Sequence, residues 1–248
     1  MPQKIAFGLQ DDPIKKKDFA YHKVKKFLKS KKEIPLGGVP ITHLGVWEEV
    51  QEKGIFVPPV AQGDLNACVP CSVVEAMQYL YFKNTGKIIR LDWLDLYNRS
   101  PKYAGGTKPS EVLEIARKEG VRELGTTIIH KLDAWSRIIE PNQDKIFEAI
   151  QNGGSVILGV DTLKAELLGD GFNHEIFHLD FFPDRIKIGI VNHWNAVRQM
   201  FQEMPADIPF INCIVLHDKP DIPKDQVRLG VNGLFANYFS KLLKTLFL

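Results

Sequence analysis

The spacing of hydrophobic residues changes near residue 150, and this change limits the folds open to the chain. Apolar residues recur at helical spacing from Cys68 to about Lys83, in LDWLDLYNRS and in KPSEVLEIARKEG, where Ser110 is predicted as N-cap and Gly120 as the C-terminal stop. A short helix in DKIFEAIQNGG precedes four strand-like runs, SVILGVD, HEIFHLDFF, RIKIGIV and INCIVLHD. A helical half followed by a β half predicts an α+β fold with a cleft between the halves.

Composition narrows the classes of protein further. The chain has 248 residues, enough for one large domain, and a net charge of +2, which gives no general attraction to nucleic acid. Its three cysteines are few and cannot all pair within the chain, which argues against a disulfide scaffold, so reduced thiols are expected. The first residues, MPQKIAFGLQDDP, lack the apolar stretch of a signal peptide, so a cytoplasmic location is the default expectation.

The two ends of the chain are predicted to be helical attachments to a central domain. Residues 16–30 space apolar side chains among lysines, which predicts a basic amphipathic helix that lies on the domain or serves a membrane, partner or self-inhibitory role. The segment EIPLGGVPITHLG then resembles a linker, so we place an N-terminal extension at 1–54 and the main domain at 55–248. The apolar tail is interrupted by Lys241 and Lys244 and is predicted to be a docked amphipathic helix rather than a membrane span.

Two chemistries compete for Cys68. Cys68 and Cys71 form a CxxC pair at the predicted start of a helix, where the helix dipole lowers the pKa of a thiol, as in thiol-disulfide oxidoreductases. Those proteins place a buried strand before the pair, whereas VPPVAQGDLNA is a loop. A cysteine hydrolase needs the same helix start for a nucleophilic thiolate, together with donors for an oxyanion. Gln62, six residues earlier across a flexible loop, is a candidate donor.

The segment PPVAQGDLNACVPCSVVEAMQYL resembles the active-site segment of papain-like cysteine proteases, in particular the bacterial-type branch. The resemblance implies a two-lobed fold with a helical first half and an antiparallel, β-barrel-like second half. It also implies that Cys68 is the nucleophile and that Gln62 and the Cys68 amide form the oxyanion hole. Ala67 fits the pattern, whereas Val69 stands where an aromatic residue is usual.

The family also implies a histidine base and an asparagine that orients it. RIKIGIVNHWN resembles the asparagine segment, with Asn192 as the orienting residue and Trp194 shielding its hydrogen bond. His174, which opens a strand-like run, is the preferred base, His178 remains an alternative, and His193 is the least favoured. Cys68 precedes His174 by 106 residues and Asn192 by 124, which is shorter than the roughly 130–150 of papain itself.

The sequence therefore predicts a cysteine peptidase with a Cys-His-Asn triad, acting on a polypeptide substrate without cofactor or metal. By resemblance, Gly105, Gly106 and Trp194 belong to the substrate-binding site, since the absence of side chains on the glycines lets a peptide backbone approach. A catalytically silent papain-like module that binds or supports other molecules remains an alternative. A CxxC thiol-disulfide oxidoreductase is the third and less favoured alternative.

Overall fold

A computed structural model describes residues 8–9, 12, 45–56, 60–63, 65–162, 173–182, 187–193 and 201–217. The amphipathic helix predicted at 16–30 and the tail after residue 217 lie outside these ranges. Within the described residues, no helix combines the length and apolar character needed to span a membrane.

The helical half contains the segments that periodicity predicted. The helices are α1 Val46–Glu52, α2 Cys68–Thr85, α3 Trp93–Arg99, α4 Pro109–Lys118 and α5 Gln143–Gln151. The first thirteen residues of α2 are all buried. A helix that is buried on every side lies in the core, so α2 is the central helix of the molecule.

The β half is a six-stranded antiparallel sheet. Across the described residues, the strands are β1 Gly8–Leu9, β2 Gly106–Thr107, β3 Val121–Arg122, β4 Ile129–His130, β5 Ala134–Arg137, β6 Ser155–Asp161, β7 Asn173–Phe182, β8 Lys187–Val191, β9 Phe201–Pro205 and β10 Asn212–His217. Strands β1 to β4 form two separate two-stranded sheets. The main sheet has the order β5-β10-β6-β7-β8-β9. The predicted α+β class and the four predicted strands are confirmed, while closure into a barrel is not seen in the described part of the chain.

The sheet separates two hydrophobic clusters because alternate residues of a strand point to opposite faces. Ile157 of β6 belongs to the cluster around α2, whereas its neighbours Val156 and Leu158 belong to the cluster around α5. On the α2 side, Phe177 of β7 contacts the ring of Tyr79, with 5.9 Å between centroids. This packing fixes α2 against β7 and so positions the N-terminus of α2 relative to the sheet.

Described residues before position 54 contact the main domain. Trp47 of α1 packs edge-on against Phe182 and Phe201, at 5.6 and 5.4 Å between ring centroids, and its amide donates to Asp180 Oδ2 at 3.1 Å. Strand β1 pairs in parallel with β2 and also lies against α2 and β7. The boundary at residue 54 stays a prediction, but α1 is packed as part of the domain.

The start of α4 differs from the prediction. Its N-cap is Lys108, which makes no side-chain capping bond, and Ser110 lies within the first turn, so Ser110 as N-cap was wrong. The first amides of a helix have no partner within it. Here the amide and hydroxyl of Ser110 donate to the carboxylate of Asp12, at 2.7 and 2.9 Å. A distant acidic side chain therefore caps this helix. At the other end, Gly120 follows the helix with a φ of 86°, as a C-terminal stop requires.

Candidate active site

Cys68 is the first residue of the central helix, and it is fully buried. Burial raises the pKa of its thiol, and the nearby carboxyl of Glu175 raises it further. Backbone hydrogen bonds from Glu175, Val69 and Cys68 itself act in the opposite direction. The buried thiol is therefore neutral.

His174 and Asn192 are hydrogen-bonded. His174 lies at the start of β7, and its Nε2 donates to Asn192 Oδ1 over 3.0 Å. Asn192 Nδ2 donates in turn to Gln202 Oε1 of β9 at 2.9 Å, which holds the amide with its oxygen toward the histidine. Burial lowers the pKa of His174 to about 3, His193 lowers it further, and the bond to Asn192 opposes this shift. Nothing in the sequence marked Gln202 as part of the site.

The two candidate histidines, His174 and His178, differ in their contacts. The Cys68 sulfur is hydrogen-bonded by the backbone of Glu175, the residue directly after His174, so the thiol lies at the beginning of β7. His178 lies four residues further along this strand, opposite Val156. Neither of its ring nitrogens has a hydrogen-bond partner within the described residues. Of the two, it is His174 that contacts Asn192.

Gln62 is attached to the segment that follows Asn192. Its backbone amide donates to the carbonyl of His193 at 2.9 Å, and its side-chain Nε2 donates to the carbonyl of Leu65 at 2.9 Å. The ring of His193 lies 5.2 Å from that of His174, between centroids. These contacts hold the loop before Cys68 against the end of β8, beside the His174 to Asn192 bond.

His193 is itself fixed by a buried residue of the central helix. Its Nδ1 shares a hydrogen bond of 3.2 Å with Oε2 of Glu75, and neither side chain is exposed. Burial raises the pKa of Glu75 well above its usual value and lowers that of His193 to about 3. The contact is thus a hydrogen bond between neutral groups rather than an ion pair.

The glycines predicted to contact substrate lie beside a segment of the chain itself. Gly105 and Gly106 are buried, and Gly106 pairs with Gly8 of β1. Gly106 has a φ of 134°, a conformation that favours glycine. The backbone of residues 8–9 therefore lies where the prediction put a peptide substrate. Trp194 lies outside the described residues.

A cluster of polar residues beside the thiol was not predicted from the sequence. Glu175 is fully buried, and its Oε2 accepts a hydrogen bond from Asn212 Nδ2 at 3.1 Å. Burial raises its pKa to about 8, Asp12 raises it too, and Arg137 opposes the shift. Arg137 donates to Asp12 Oδ2. A charged residue inside an apolar strand, such as Glu175, was a signal available in the sequence, whereas nothing local marked Asp12.

The remaining cysteines are free thiols. Cys71 and Cys213 are buried like Cys68, and burial raises the pKa of both. Cys71 lies within the first turn of the central helix, where its N–H donates to the carbonyl of Ala67. Its surroundings are those of a packed helix residue.

Solved structures with a similar fold are papain-like cysteine proteases. Xylellain, a cysteine protease from Xylella fastidiosa, has a TM-score of 0.57 and 14% sequence identity, over 87% of this chain and 97% of its own. ProCathepsin B S9 from Trypanosoma congolense has a TM-score of 0.59 and 12% identity, over 87% and 85% of the two chains. A stem bromelain precursor has a TM-score of 0.53 and 11% identity, over 73% and 74%. No protein-family model matches the sequence, and no curated protein does so either. The chain therefore has the papain-like fold that the segment around Cys68 implied.

Proposed function

We propose that this chain, whose fold is that of papain-like cysteine proteases, is a cysteine peptidase with Cys68 as nucleophile, His174 as base and Asn192 as the residue that orients the base. The observation that carries the proposal is the 3.0 Å bond from His174 Nε2 to Asn192 Oδ1. A proton on Nε2 leaves Nδ1 as the nitrogen that can accept the thiol proton. The backbone contact between Glu175 and the sulfur supports the placement of the thiol beside this histidine.

In the proposed reaction, His174 Nδ1 takes the proton from Cys68, and the thiolate attacks a peptide carbonyl. The tetrahedral oxyanion accepts hydrogen bonds from the Cys68 amide and from Gln62 Nε2, which has a second N–H besides the one bound to Leu65. The imidazolium then protonates the departing amine, and water hydrolyses the acyl-enzyme. Asn192 keeps the imidazole in the orientation that both transfers need.

We further propose that the N-terminal segment, through residues 8–9 and Asp12, inhibits the enzyme by occupying its cleft. Strand β1 pairs with β2 and lies against α2 and β7, the elements that carry Cys68 and His174. The full burial of both side chains supports this proposal. It also explains the pKa shifts, because burial without water disfavours both the thiolate and the imidazolium. Release of the segment would hydrate the pair and allow it to ionise.

A catalytically silent papain-like module is the second candidate, and the buried, neutral thiol is the observation that favours it. The two candidates are distinguished by the full-length Asp12→Ala variant, in which the segment is weakened, assayed with a mixture of fluorogenic peptides. A peptidase gains turnover in this variant and loses it again when Cys68→Ala is added, whereas Cys71→Ala preserves it. Absence of Cys68-dependent turnover despite rapid alkylation of Cys68 would reject the peptidase.

A further inference from the structure

The side chain of Asp12 is bound in the way that a ligand carboxylate is bound. Its Oδ1 accepts from the Ser110 hydroxyl at 2.9 Å, and its Oδ2 accepts from the Ser110 amide at 2.7 Å and from Arg137 Nη2. The side chains of Arg137 and Asp12 are only 3% and 1% exposed. A carboxylate that is removed from water to this extent requires such charge-assisted donors.

This carboxylate follows a short strand that is paired in the way a bound peptide is. Gly8 and Leu9 pair with Gly106 and Thr107, so main-chain hydrogen bonds hold the strand while the side chain of Asp12 reaches its own partners. Leu9 and Asp12 are three positions apart, so the chain between them spans at most roughly 11 Å. Backbone pairing in one place and a side-chain pocket in the next is the usual arrangement for peptide recognition.

The donors around Asp12 have a net positive character of their own. Ser110 lies in the first turn of α4, where the helix dipole favours an anion. The guanidinium of Arg137 also lies over the ring of Trp135, 5.9 Å from its centroid, which helps to fix its orientation. Glu175 is a further acidic group near Arg137, and its pKa of about 8 leaves it mostly protonated at neutral pH. Glu175 therefore does not cancel the charge of Arg137.

The pocket is also close to the thiol. Glu175 connects the two places, since its backbone is hydrogen-bonded to the Cys68 sulfur and its carboxyl interacts with both Arg137 and Asp12. We propose that Arg137 and Ser110 form a subsite of the cleft that takes an acidic side chain of a bound peptide, and that Asp12 occupies this subsite as an internal ligand. The role of that peptide as a substrate rests on the proposed function, but its binding does not.

The test measures binding in a full-length chain that cannot cleave the probe. The receptor is the Cys68→Ala, Asp12→Ala double variant, and the probes are fluorescein-labelled peptides of residues 3–14, QKIAFGLQDDPI, and of the same sequence with the second Asp replaced by Asn. Fluorescence anisotropy is expected to show about tenfold or greater preference for the Asp peptide, because a charge-assisted hydrogen bond is lost in the Asn peptide. Equal affinities, or no binding of either peptide, would overturn the subsite.

Receptor variants identify the residue responsible. Adding Arg137→Gln is expected to abolish the preference and leave the affinity for the Asn peptide unchanged, while Arg137→Lys retains part of the preference. Arg99→Gln is the matched control, because Arg99 pairs with Asp95 and Glu119 rather than with Asp12. Should Arg137→Gln fail to fold, as judged by its melting curve, Ser110→Ala replaces it and is expected to weaken the preference. A preference that survives in every variant would refute the assignment.

The same reagents separate this inference from the proposed function. Selective binding of the Asp peptide by the double variant, without turnover of any peptide by Asp12→Ala alone, would leave the subsite standing and reject the peptidase. Turnover of peptides by Asp12→Ala, without preference for the Asp peptide in binding, would support the peptidase and reject the subsite.

Discussion

Replacement of Asp12 by alanine is expected to expose the thiol of Cys68 to reagents without unfolding the protein. The variant removes the carboxylate that pairs with Arg137, together with the two bonds from Ser110. Loss of one member of a buried ion pair typically costs about 3–5 kcal/mol. Each 1.4 kcal/mol is a tenfold change in an equilibrium constant, so opening of the segment should become roughly two to three orders of magnitude more favourable.

The assay follows iodoacetamide labelling of each thiol at neutral pH by mass spectrometry of quenched samples. Cys68 is expected to react at least tenfold faster in the variant, while the buried Cys71 and Cys213 keep their wild-type rates. Asp95→Ala is the control, because Asp95 also pairs with arginines but lies elsewhere. An unchanged Cys68 rate would refute the reasoning, and so would a parallel increase at all three thiols, which would indicate global unfolding.

Three further predictions concern the site. Asn192→Ala in the Asp12→Ala background should lower kcat on the order of a hundredfold, since the imidazole loses its orientation, and an unchanged kcat would exclude the proposed role. Cys71→Ser should leave peptide turnover within about threefold of the parent, whereas a redox mechanism predicts complete loss of disulfide exchange in an insulin reduction assay. The raised pKa of Glu175, about 8 against roughly 4.3 unfolded, stabilises the fold at low pH and loses this effect as pH rises through 8. Between pH 6.5 and 8 the free energy of unfolding should therefore fall by at most about 1.4 kcal/mol per pH unit, and thermal melts of Glu175→Gln should lack this slope; equal slopes would contradict the assignment.

Local patterns predicted the main elements because their signals are short-range. The central helix begins at Cys68 after a loop that contains proline and glycine, and β6 has the bounds of the apolar run SVILGVD. Strand β9, FQEMP, was missed because it has no β-branched residue and contains Glu and Pro, which are depleted in strands. Its pairing with β8, rather than its own propensity, makes it a strand.

The sequence by itself determined that Cys68 lies at the start of a helix and His174 at the start of a strand, since helix and strand periods are encoded by neighbours along the chain. It preferred His174 to His178 as the base but could not show their contacts, since both lie on one strand; the structure adds the hydrogen bond from His174 to Asn192 of the next strand. Nor could the sequence bring Asp12 to Arg137, which is 125 positions away. Such pairings depend on how the central helix, the sheet and the N-terminal segment pack together, and packing over these separations leaves no periodic signal in the sequence.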